Sequence, residues 1–132
     1  MVIVFVNIIT VWGGSFLASL SLPVAINLYG FTFVNGLTHA IPALTVGPIY
    51  NPGLVTTWLL FFPATYFAFR VLGSAVRGVA VGVLCHLILM GSMKMAATGL
   101  IGEGVLCLIQ VLNLLPLATI GRLGYDSASF RS

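Results

Sequence analysis

Two acidic side chains, Glu103 and Asp126, are all that 132 residues provide, while 60 % of the chain is hydrophobic and the mean hydropathy is +1.18. A water-soluble domain carries roughly a quarter of its residues as Asp, Glu, Lys or Arg; here the charged fraction is 5 %. A chain this short leaves much of its area exposed when folded, so water cannot be the solvent for that surface. The sequence therefore predicts an integral membrane protein. Backbone groups in lipid must be satisfied internally, which leaves helices or closed barrels. Barrel strands alternate apolar and polar residues, and stretches such as WLLFFPATYFAF and GVAVGVLCHLILMG do not. The expected fold class is all-α, a polytopic transmembrane helical bundle forming one domain over residues 1–132.

A crossing helix needs about 20 mainly apolar residues, and five such spans are expected, over residues 2–20, 23–46, 53–69, 76–93 and 99–120. Ser21 with Pro23 marks a helix restart, with a single kinked helix as the alternative. GPIYNPG at 47–53, RVLGSAVRG at 70–78 and MKMAATG at 93–99 mark the other breaks. Pro63 and Pro116 fall inside spans and should kink them. At the turn, Pro52 pushes Asn51 towards extended backbone, and Gly53 is expected to take the positive φ of a type II turn. Tyr50 is placed as an interfacial anchor.

The basic residues Arg70, Arg77, Lys94, Arg122 and Arg131 are scattered, with no dense patch, so no nucleic-acid partner is expected. Four arginines share one side of the membrane and Lys94 lies opposite, which makes the arginine side and the tail 121–132 cytoplasmic. Met1 then starts outside. With its abrupt apolar beginning, this points to a further N-terminal helix beyond the sequence given. The start has no basic residue and no cleavage site, unlike a signal peptide.

Asn35 and His39 are four residues apart and share a helix face beside Thr38. In lipid that face must turn inward. The choice lies between an interhelical hydrogen-bond cluster, the favoured reading, and a metal ligand or proton carrier. His86 falls mid-span and needs a partner for its donor and its acceptor. Glu103, near the start of the last span, is expected to pair with Lys94; Cys107 and Gln110 continue its stripe inward, with Asn113 off it. Cys85 and Cys107 read as small buried hydrophobes, and Met90, Met93 and Met95 as packing. Gly78-Val-Ala-Val-Gly82 is a GxxxG pattern that allows close helix approach, within the bundle or against another subunit.

The stretch NGLTHAIPALTVGPIYNPGLVTTWLLFFPATYFAF, residues 35–69, resembles the bacterial HXXEE membrane proteins. The elements that carry the resemblance are Asn35, His39, Tyr50, Pro52, Gly53, Thr56 and Pro63, and GVLCHLILMG around His86 is similar to a later His-bearing helix of that family. The resemblance implies a small helical bundle of the bacterial inner membrane and brings no reaction with it. The His-x-x-Glu-Glu motif itself is absent from this chain.

The functional expectation is a non-catalytic subunit or packing partner of a larger membrane complex, with the bilayer and other transmembrane subunits as partners and no cofactor. Its structural or binding residues are then Asn35, His39, Tyr50, Pro52, Gly53, Thr56, Gly78 and Gly82. The alternative is an intramembrane metal-dependent enzyme acting on a lipid or other apolar substrate, with His39, His86 and Glu103 as the ligand set. A transporter is disfavoured because the chain shows no internal repeat.

Overall fold

The computed structural model describes residues 9–47, 51–72 and 75–120, and among these every regular element is helical. Tyr50 and the tail 121–132, and the side chain of Pro52, lie outside the described residues. The helices form five rods. Rod α1 opens with a π-helical turn, Ile9–Gly13, and continues as Gly14–Leu20. Rod α2 is Leu22–Val46. Rod α3 is made of Pro52–Thr56, a π-helical turn Thr57–Phe61, and Phe62–Leu72. Rod α4 is Ala75–Ala97, and α5 consists of Glu103–Leu112 and Leu114–Thr119.

The breaks have local causes. Ser21 is extended, with φ −159° and ψ 124°, and Pro23 sits in the first turn of α2, where its missing N–H costs no helical bond. Two helices therefore form there, as the Ser21–Pro23 restart predicts. Pro63 cannot donate to the carbonyl of Leu59, and the widened turn Thr57–Phe61 directly before it takes up the mismatch. Pro116 does the same to α5, which breaks at Asn113. At the end of α4, Gly99 has φ 76° and the Leu100 N–H reaches the Met95 carbonyl at 2.9 Å, a six-residue closing bond that needs the left-handed backbone of glycine.

The turn between α2 and α3 differs from the expected one. Asn51 is extended, with φ −136°, but Gly53 is helical, and the positive φ falls on Gly47, at 103°. Pro52, fixed at φ near −65°, starts a helix instead of occupying the second corner of a type II turn.

Residue pairings along the rods give their directions. A Cβ on Gly14 would touch Leu28, His39 lies against Gly53, and Asn113 bonds to Cys85. Consecutive rods are therefore antiparallel. Rods α2 and α4 run parallel and meet at their backbones: a Cβ on Gly78 would lie 2.6 Å from the Ile26 carbonyl oxygen, and one on Gly82 2.6 Å from the Phe31 nitrogen. Gly30 faces the Gly78 carbonyl just as closely. The GxxxG pattern is thus used inside the chain, with Gly30 as its counterpart. Around this crossing pack Phe31, Val81, Cys85 and Leu117. Rod α5 closes the bundle against α1, where Gly13 and Gly14 admit Leu114 and Leu117.

Among the described residues two rods, Gly53–Leu72 and Ala75–Ala97, are long and apolar enough to cross a membrane. Rod α2, at 25 residues, is long enough, but Asn27, Thr32, Asn35, Thr38 and His39 dilute its apolar character.

Candidate functional site

His39 lies on the face of α2 that meets the start of α3, and Asn51 holds it. The Asn51 Oδ1 is 2.7 Å from the ring Nδ1, and the Asn51 Nδ2 donates to the backbone carbonyl of His39 at 3.1 Å. The second bond orients the amide, because only nitrogen can donate to a carbonyl. Oδ1 must then face Nδ1, and since Oδ1 only accepts, Nδ1 carries the proton. In neutral His39 the lone pair therefore resides on Nε2. The ring itself rests on Gly53, where a Cβ would overlap it, with Nδ1 and Nε2 each at 2.6 Å. Glycine is required here by space, not by its backbone angle.

Asn35 does not join this group. It lines a small cavity of about 110 Å³ with Thr10, Ser15, Phe31, Thr32 and Phe61, between α1, α2 and the π turn of α3. Thr38 bonds locally to the Asn35 carbonyl at 2.8 Å. Thr56 is half-buried one turn after Asn51, and its neighbour Thr57 is fully buried.

His86, 5 % exposed, lies against the ring of Phe31, with centroids 5.5 Å apart and planes tilted by 48°. Neither of its ring nitrogens has a hydrogen-bond partner among the described residues. Glu103 is exposed in the first turn of α5, where a carboxylate suits the positive end of the helix dipole. Lys94 is also exposed, in the last turn of α4, and no Lys94–Glu103 ion pair forms. His39, His86 and Glu103 do not converge, and among the described residues no three His, Cys, Asp or Glu side chains form a group able to hold a metal ion. The set proposed from sequence does not fit a single metal.

Three interior amides join helices. Asn113 Nδ2 donates to the Cys85 carbonyl at 2.9 Å, Gln110 Nε2 to Ser92 Oγ at 2.7 Å, and Asn27 Nδ2 to the Leu117 carbonyl at 2.9 Å. Asn113, expected off the inward stripe, belongs to it: Leu106, Gln110, Asn113 and Leu117 recur every three to four residues and are all buried. Sequence reading also missed Asn51 as a partner of His39: Asn before Pro reads as a helix cap, but the Asn51 side chain makes no cap bond and reaches across to His39 instead.

No curated protein and no solved structure matches the chain. A family model described as "Protein of unknown function with HXXEE motif" matches residues 1–68, which include α1, α2, the Asn51 turn and most of α3. The segment around His86 lies outside the matched residues. With half of its length covered, from the first rod through the His39–Asn51–Gly53 group, the chain belongs to the HXXEE family of unknown function, although the motif that names the family is absent from its sequence.

Proposed function

We propose that the protein is a polytopic bundle whose five rods cross the membrane alternately and that it works as a non-catalytic packing subunit of a larger membrane assembly. The observation that carries this reading is the inverted distribution of polarity. Among the described residues 26 large hydrophobic side chains are exposed, including Trp12, Phe16, Trp58, Tyr66 and Phe67, while Asn27, His86, Gln110 and Asn113 are buried. Lipid tails or apolar neighbouring helices are the surroundings that suit such an exterior. The antiparallel succession of rods puts the α3–α4 connection, with Arg70 and Arg77, at the same end as Ser21 and Ile120. Lys94 belongs to the opposite end. The positive-inside rule makes the arginine end cytoplasmic. The amides of Asn27, Gln110 and Asn113 already serve as interhelical bonds, which fits a structural role.

One observation favours a second reading. Asn51 fixes the tautomer of His39 with Nε2 as the acceptor, the arrangement of a proton-accepting or metal-ligating histidine. Under this reading the site is an acid–base or metal centre built on His39 and completed by groups other than His86 and Glu103.

Mild-detergent extraction followed by native mass measurement and metal analysis separates the two. A complex larger than one chain, free of stoichiometric metal, is expected. A lone chain carrying one metal ion, lost on His39→Ala, would overturn the subunit reading.

A further inference from the structure

An open cavity of about 520 Å³ lies between α2, α3 and α4, lined by Phe33, Phe62, Thr65, Phe69, Arg70 and Val79 among others. Its walls are aromatic: Phe33 stands 5.8 Å from Phe62 and 6.4 Å from Phe69, ring centre to ring centre. Volumes of this size are typical of ligand sites. Three chemical features are graded along it. Arg70, exposed in the last turn of α3, supplies a cation at the mouth. Thr65, 1 % exposed, is among the lining residues, and its hydroxyl, buried behind the wall, has no partner among the described residues. Phe62, with Phe33 against it, lines the cavity two turns from Arg70.

We propose that this cavity binds one anionic phospholipid, with its phosphate on Arg70 and its chain along Phe69, Phe33 and Phe62. The inference rests on the membrane orientation proposed above. The charges around Arg70 favour an anion. The chain's acids are Glu103, which starts α5 at the opposite end of the bundle, and Asp126 in the tail. Basic pockets between helices on the cytoplasmic side attract anionic headgroups. The length also fits. From Arg70 to Phe62 the helix rises about 12 Å, most of the roughly 15 Å that one leaflet contributes to the hydrocarbon core.

The test is native mass spectrometry of the full chain released from detergent micelles, with dioleoyl phosphatidylglycerol, dioleoyl phosphatidylcholine or inorganic phosphate as probe. One retained phosphatidylglycerol is expected, with little phosphatidylcholine and no phosphate adduct. Arg70→Gln should lower phosphatidylglycerol retention about five-fold, the equivalent of about 1 kcal/mol for one basic residue at an anionic surface. Arg70→Lys should keep most of it, and Val79→Phe, which fills the cavity, should reduce retention of every lipid at unchanged helical content. Equal retention of the two lipids, or retention indifferent to Arg70→Gln, overturns the proposal, as does a phosphate adduct without lipid or a second copy of the chain in place of lipid. A chain that stays soluble without detergent would instead overturn the membrane orientation on which the proposal stands.

Discussion

Asn51 grips His39 through both ends of one amide, accepting from the ring at 2.7 Å and donating to the backbone carbonyl of the same residue at 3.1 Å. The contact ties the last two turns of α2 to the first residue before α3. It also determines which ring nitrogen is protonated. The turn is therefore more than a spacer that sets the height of His39, because its own side chain orients the ring.

Nitrogen NMR of histidine-labelled protein should find neutral His39 protonated at Nδ1. In Asn51→Ala the tautomers should mix and stability should fall by about 1–3 kcal/mol, since a partly buried donor and acceptor lose their partners. An Nε2-protonated ring in the unaltered protein would contradict the geometry.

Gly53→Ala should destabilise the protein, even though alanine is favoured over glycine inside a helix by about 1 kcal/mol. The added methyl meets the His39 ring, and overpacking of this kind costs about 1–3 kcal/mol. In a His39→Ala background the same substitution should be neutral or stabilising. Thermal unfolding of the four variants of this cycle measures the coupling, and its absence would remove the steric account of Gly53.

Gly30→Ala and Gly82→Ala should each abolish the folded bundle, because the methyl would enter the backbone of the facing helix. Gly91→Ala, on the same rod as Gly82 but with open space around it, should fold normally. Yield of monodisperse protein after extraction reads the difference. Equal behaviour of Gly82→Ala and Gly91→Ala would show that the α2–α4 crossing is looser than described.

Asn113→Leu and Asn27→Leu should each lower stability by about 0.6–1.7 kcal/mol, the range of side-chain hydrogen bonds between membrane helices. The two should couple instead of adding, since Asn27 bonds the carbonyl of Leu117, one turn from Asn113 on the same buried face of α5. Denaturant titration in a fixed detergent gives both values.

Cysteines introduced at Ser21 and Thr98, in a Cys107→Ala background, should label from opposite sides of the membrane, Ser21 from the cytoplasm. Labelling of both from one side would refute alternate crossing.

Composition and pattern alone determined the apolar character of this chain and its helical class, because two acids leave little to solvate and long unalternating apolar runs do not suit half-exposed strands. Proline and glycine spacing located most of the helix breaks, since those residues act through local backbone geometry. The same local reasoning gave the i, i+4 face of Asn35 and His39, and it could go no further. Which side of α2 meets α3, and which meets α1, depends on how neighbouring rods cross. That crossing sends His39 to Asn51 and Gly53 while Asn35 lines a separate cavity. It brings Gly30 onto Gly78 and Gly82, turns Asn113 inward, and does not gather His39, His86 and Glu103 into one group. Such pairings join residues up to 90 positions apart, as Asn27 and Leu117 are. They depend on the shapes of whole helix faces, so only the tertiary structure decided them.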